Sequence, residues 1–92
     1  MPRALVYVEG KTDIPVVHAV MRAAGWEREE FTVFALRGSA KLEARLREQA
    51  SLPSPILRVF MRDADGQCPV DIRKRLLPKG SADTVVLRVC DD

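Results

Sequence analysis

The chain has 92 residues, of which 47% are hydrophobic and 30% are charged, so it suits one small globular domain and excludes a disordered or fibrous protein. Fifteen Lys and Arg residues against thirteen Asp and Glu residues leave a formal charge of +2, too small to indicate a nucleic-acid partner by itself. No apolar run approaches the ~18 residues of a membrane span, and the first residues show no signal-peptide pattern. Cys68 and Cys90 form no CxxC pair, so we expect a cytoplasmic protein with reduced thiols and no membrane partner.

The first half of the chain predicts two strands and the helix between them. Residues 4–8 form an unbroken apolar run, which is typical of a strand buried on both faces of a parallel sheet. Thr12 or Asp13 is suited to cap the following helix, because a short polar side chain can accept a hydrogen bond from the first turn. That helix is predicted to end at Gly25, and residues 31–36 form the second apolar run.

The second half continues the alternation of helices and strands. Ser39 is suited to cap a helix over residues 40–50, with Leu42 and Leu46 on its buried side. Two prolines within residues 51–55 break the chain after that helix. The remaining elements are a strand over residues 56–61, a helix over residues 69–77 and a strand over residues 84–90.

The order of these elements predicts a single α/β domain over residues 1–92. Strands that alternate with helices form a mostly parallel sheet, here four-stranded and flanked by about three helices, because right-handed crossovers join the strands. Ligands of such sheets bind at the carboxyl ends of the strands. Glu9 follows the first strand, and Asp63 and Asp65 follow the third. We therefore expect these acids at one edge of the sheet.

The three acids are the candidate site residues. Two carboxylates separated by one residue in a strand-end turn can face one cation, and a third from another strand end completes a set of hard oxygen ligands suited to Mg²⁺. An isolated DADG segment at residues 63–66 is more often only a turn with a helix cap. The acid at Glu9, at a matching strand end, favours the metal site.

The segment EGKTD at residues 9–13 follows the first strand, and DADG at residues 63–66 follows the third. In this order they resemble the Toprim domain of topoisomerases, primases and related nucleases, over nearly the whole chain. The segments YVEGKTD and RDADGQC are similar, more narrowly, to the front half of standalone Toprim-like, OLD-nuclease-like bacterial proteins. That resemblance implies a Toprim-like, Rossmann-like fold, a chain that is the N-terminal part of a longer protein, an ATPase partner and a role in phage defence.

The resemblance also implies roles for individual residues. Glu9 would be the general acid/base or a metal ligand, and Asp63 and Asp65 would hold Mg²⁺ or Mn²⁺. Asp13 matches an acidic position of the nucleases that serves a second metal, although the residues alone favour a helix cap equally. Lys11 would contact phosphate, whereas a lysine in a solvated turn usually only aids solubility.

A basic run at Arg73, Lys74 and Arg75, followed by Lys79, is the one concentrated positive patch. Such runs are usually solvated faces, but this one lies on the helix after the paired aspartates and is a candidate contact for a nucleic-acid backbone. Two other motifs do not fit the sequence. Leu5 stands where a P-loop ending in GKT needs a glycine, and FMRDADG, although similar to the phosphatase motif of the haloacid dehalogenases, falls past mid-chain.

The favoured function is Mg²⁺-dependent phosphodiester chemistry on DNA or RNA, most simply nuclease-type hydrolysis. The only tyrosine, Tyr7, lies within a strand, which argues against a topoisomerase nucleophile. The alternative is a non-catalytic Toprim-fold module that mediates protein or DNA contacts. In either case the apolar fourth strand, predicted to lie at a sheet edge without a following helix, favours a homo-oligomer.

Overall fold

The structure is a computed structural model that describes residues 2–77 and 80–90. Within these ranges the chain alternates strands and helices as predicted. The elements are β1 (Ala4–Val8), α1 (Ile14–Ala23), β2 (Phe31–Ala35), α2 (Ser39–Gln49), β3 (Leu57–Asp63), α3 (Pro69–Leu76) and β4 (Val85–Cys90), with 3-10 turns at Lys11–Asp13 and Arg28–Glu30. In the described part of the chain, no helix is long and apolar enough to cross a membrane.

The four strands form one sheet in the order β2-β1-β3-β4, and every neighbouring pair is parallel. This confirms the predicted class, a four-stranded parallel α/β sheet flanked by three helices. In the central strand β1, Val6 lies between Val33 and Val59 of its two neighbours. Because β1 and β3 are adjacent and parallel, their carboxyl ends lie side by side, and the acids that follow them share one edge of the sheet.

Helices α2 and α3 cover one face of the sheet and enclose the larger core. The buried residues on this face are Tyr7, Leu42, Leu46, Ala50, Phe60, Ala64, Ile72, Leu76, Val85 and Leu87. Helix α1 covers the other face, where Val17 packs on Val6 and Val8 of β1. One helix does not cover four strands, so Val86 on the edge strand β4 stays 40% exposed.

Two differences from the predicted bounds have a clear structural reason, and the other bounds agree within two residues. Ser39 is the first residue of α2 rather than its cap, because Gly38 takes the cap position with a φ of 120° that disfavours side chains. Strand β3 is longer than predicted and includes Arg62 and Asp63, which pair with Val89 and Cys90 of β4. Residues 78 and 79, which follow the predicted end of α3, lie outside the described residues.

Candidate functional site

The side chain of Glu9 crosses from the end of β1 to the end of β3. Tyr7 of β1 lies opposite Phe60 of β3, so the residue after β1 reaches the level of the last residues of β3. There the backbone N–H of Asp63 donates a hydrogen bond of 2.6 Å to Glu9 Oε2. The structure therefore brings the first predicted acid into contact with the backbone of the second.

Burial raises the pKa of Glu9 above its ordinary value of 4.5. The Asp63 N–H lowers this pKa, the negative charge of Asp63 raises it, the Arg62 guanidinium lowers it and the charge of Asp65 raises it, with a net shift upward. A carboxylate with this shift holds its proton more tightly than a solvated one. This property suits a group that exchanges a proton during catalysis.

Asp13 and Asp63 line one cavity of about 270 Å³ at the same edge of the sheet. Apolar side chains of α1, β1 and β3, among them Met61, form the rest of its wall together with Cys90. Asp13 Oδ2 accepts a hydrogen bond of 3.3 Å from the N–H of Gly10, so this carboxylate caps the 3-10 turn before α1. Asp13 stands at the cap position of α1, but its side chain accepts no hydrogen bond from that helix, and the carboxylate lies at the cavity with Asp63.

Asp65 lies in the turn after β3 and has a φ of 52°. Its side chain is 62% exposed, and Oδ2 lies 3.7 Å from Nη1 of Arg62. Within residues 2–77 and 80–90, no three His, Cys, Asp or Glu side chains are grouped to hold a metal ion. Convergence of Glu9, Asp63 and Asp65 on one cation stays a prediction.

Arg62 is a site residue that the sequence analysis missed. Its side chain is 4% exposed, its Nε donates to Glu43 Oε2 at 2.8 Å, and its Nη1 donates to the backbone oxygen of Asp63. Glu43 also accepts from Arg75 at 2.8 Å and lies 3.6 Å from Arg47, one turn later on the same helix. Arg62 therefore ties the end of β3 to helix α2. In the sequence, the positive charge of Arg62 immediately before the DADG segment was the signal that could have identified it.

The shared carboxylate of Glu43 is ionised more readily than usual. Burial alone would raise its pKa, but hydrogen bonds from Arg75 and Arg62, with their positive charges, hold it below the ordinary value of 4.5. Its negative charge therefore persists under mildly acidic conditions and continues to neutralise the buried guanidinium of Arg62.

The predicted phosphate contacts lie on two different elements. Lys11 is exposed in the turn that directly follows Glu9 and Gly10, at the acidic edge. Arg73, Lys74 and Arg75 occupy the last turn of α3, and Arg75 is six residues, or about 9 Å along the helix, beyond its start at Pro69. Arg73, Lys74 and Arg75 are all exposed, and Arg75 also pairs with Glu43. Lys79 lies outside the described residues.

Comparisons of the chain with family models, with curated proteins and with solved structures found no match. The Toprim assignment therefore stays a prediction from the motifs at residues 9–13 and 63–66. The site itself is defined by its geometry: Glu9 held against the end of β3, and Asp13 and Asp63 lining one cavity.

Proposed function

We propose that the chain is a Mg²⁺-dependent enzyme that hydrolyses phosphodiester bonds of nucleic acid. The observation that carries this proposal is the contact between Glu9 and the backbone of Asp63, which joins the acidic ends of two adjacent parallel strands. The raised pKa of Glu9 supports a role in proton exchange.

The donor chemistry at this edge fits Mg²⁺. This ion takes oxygen ligands, keeps several of its waters, and is usually bound through one or two carboxylates together with the phosphates of a substrate. Asp63 and Asp13, which share the cavity, would hold it, with Asp65 in the adjoining turn. When bound, Mg²⁺ neutralises the charge that develops on the phosphate oxygens and activates water.

The protein side chains then have separate tasks. Glu9 is fixed through Oε2 by the Asp63 N–H, so proton exchange with the attacking water falls to Oε1. Lys11, which is exposed and follows Glu9 by two residues, would attract a phosphate to this edge. The guanidinium of Arg62 donates to the backbone oxygen of Asp63. It thereby holds the end of β3 that carries the Asp63 carboxylate.

The test is cleavage of end-labelled single-stranded and duplex DNA and RNA with Mg²⁺, with Mn²⁺, or with a chelator. Asp63→Asn keeps the N–H that binds Glu9 and removes one carboxylate, so it should lower metal-dependent cleavage by at least about 100-fold, the scale of losing one group that stabilises a transition state. Asp71→Asn, at an exposed acid on α3, is the matched control and should cleave normally.

Cleavage that survives the chelator, or that Asp63→Asn leaves intact, would contradict the proposal. If Mg²⁺ binds and none of the four substrates is cut, hydrolysis is rejected. A non-catalytic module that contacts nucleic acid or protein then becomes the better interpretation.

A further inference from the structure

Three aromatic rings form a row across the face of the sheet that α2 covers. Phe34 of β2, Tyr7 of β1 and Phe60 of β3 occupy matching register positions on adjacent strands. The ring of Tyr7 stacks on Phe60 at 4.7 Å and on Phe34 at 5.4 Å between centroids. Tyr7 and Phe60 are buried, whereas Phe34, on the edge strand, is 41% exposed. The row therefore ends at Phe34, whose ring is open to solvent and is held in place by stacking on Tyr7.

Basic residues lie on helix α2 and on the loop that follows β2, the elements next to this open ring. The guanidinium of Arg45, on α2, lies 5.8 Å from the centroid of Tyr7, the ring on which Phe34 stacks. Lys41 lies one turn earlier on α2 and is exposed, and the exposed Arg37 directly follows β2. Glu48 is the acidic neighbour of Arg45, at 3.7 Å and largely exposed, so it weakens this positive charge only in part.

The open ring also lies close to the acidic edge. Tyr7, opposite Phe34, precedes Glu9 by two residues, which is about 7 Å along a strand. The N–H of Gly38, next to Arg37, donates to the backbone oxygen of Glu9 at 2.8 Å. This hydrogen bond fixes the loop that carries Arg37 beside Glu9. A strand bound at one place would therefore reach the other.

We infer that Phe34, Arg45, Arg37 and Lys41 form a binding surface for single-stranded nucleic acid. A base stacks on Phe34, and the basic side chains pair with the flanking phosphates. This inference rests on the proposed function and names its substrate class.

The choice of a single strand follows from the chemistry of the surface. Bases inside a duplex have both faces stacked on their neighbours, so only an unpaired base can use the open ring. Gripping a duplex depends on neutralising many phosphates, and this surface provides only three basic groups, with Glu48 close to Arg45 and Glu9 beside the loop that carries Arg37. Stacking on an aromatic ring is sequence-tolerant, so we expect little base preference.

The test measures binding apart from cleavage. Fluorescence anisotropy of a labelled oligothymidine of about 10 nucleotides is followed in a chelator, where metal-dependent hydrolysis stops. Phe34→Ala and Phe34→Leu should each weaken binding about tenfold or more, because both remove the ring, while Phe34→Tyr should retain it. Arg45→Gln should weaken binding severalfold and reduce its salt dependence. Val20→Ala, at an exposed apolar residue on α1, is the control and should bind normally.

Several outcomes would overturn the inference: no binding by the wild type, preference for a duplex of the same length, or wild-type binding by Phe34→Leu. Phe34→Leu keeps an apolar side chain on β2 and decides the matter if Phe34→Ala fails to fold. The two proposals fail separately. Binding that depends on Phe34 without any cleavage rejects hydrolysis alone, whereas cleavage by a Phe34→Leu variant that binds normally rejects this surface alone.

Discussion

Replacing Glu43 with Gln removes the carboxylate that Arg62, Arg75 and Arg47 share. The side chains of Arg62 and Glu43 are 4% and 12% exposed, and the contact from Arg62 Nε is 2.8 Å. A hydrogen bond to a charged group contributes about 1.5–3 kcal/mol, and the half-exposed Arg75 adds less than about 1 kcal/mol. Gln still accepts one bond, and Asp65, 3.7 Å from Arg62, offsets little because it is largely exposed.

We therefore expect Glu43→Gln to lower the free energy of unfolding by about 2 kcal/mol, below the ~3–5 kcal/mol seen when a fully buried pair is broken. For a domain of this size that is a fall in Tm of about 8–16 °C. Circular dichroism melts and urea titrations near neutral pH measure both quantities. Glu48→Gln, which breaks an exposed pair at 3.7 Å, is the matched control and should cost under about 0.5 kcal/mol. Equal losses for the two variants would refute the role assigned to the buried pair.

The pH dependence of the same variant gives a second check with a definite sign. The pKa of Glu43 is lower in the folded protein than its ordinary value of 4.5, so ionised Glu43 stabilises the fold above that value. This stabilisation is lost as the pH falls through the lower, folded-state pKa. The difference in stability between wild type and Glu43→Gln should therefore be largest near neutral pH and shrink under acid. A difference that grows with falling pH would contradict this assignment.

Three further predictions concern metal binding, the buried Arg58 and assembly. Mg²⁺ or Mn²⁺ at 100 times its Kd should stabilise the wild type by about 2.7 kcal/mol and so raise its Tm. The same ions should not change the Tm of a variant with Asp63→Asn and Asp65→Asn. A wild-type Tm that does not respond to Mn²⁺ would count against the metal site. Arg58→Met should cost about 2 kcal/mol in urea titrations, because it removes the donor to two backbone oxygens, whereas Arg88→Met, at an exposed arginine, should cost little. Pairing along the half-exposed edge strand β4 should give a homodimer in sedimentation, and Val86→Lys should give a monomer; a wild-type monomer would reject this pairing.

Features that depend on nearby residues could be predicted from the sequence. The bounds of β1 agree because its apolar run is interrupted at once by Glu9 and Gly10. The start of α2 was wrong by one residue, because the positive φ of Gly38 is a backbone property that a good capping residue at Ser39 conceals. The full length of β3 could not be predicted, since its last pairs depend on β4, which lies more than twenty residues later.

One part of the candidate site could likewise be predicted from the local sequence, and another part could not. That acids follow the first and third strands is local information, and the alternation of elements implies that those strands are parallel. The hydrogen bond from Asp63 to Glu9 depends further on β1 and β3 being neighbours, which the strand order provides. The contact of Arg62 with Glu43, and the open ring of Phe34, depend on which helix covers which face. No spacing in the sequence specifies that arrangement.

The side chains of strand β3 alternate between the two faces of the sheet, and through them β3 connects the acidic edge with helix α2. On the face covered by α2, Arg58 and Arg62 lie on either side of Phe60, while Asp63 points to the cavity on the other face. Arg58 donates to the backbone oxygen of Gln49 at the end of α2, and Arg62 donates to Glu43 near its start. Both ends of α2 are thereby fixed to the strand that carries Asp63. The position of the basic side chains of α2 relative to the acids therefore depends on two buried arginines, neither of which contacts a substrate in the proposed scheme.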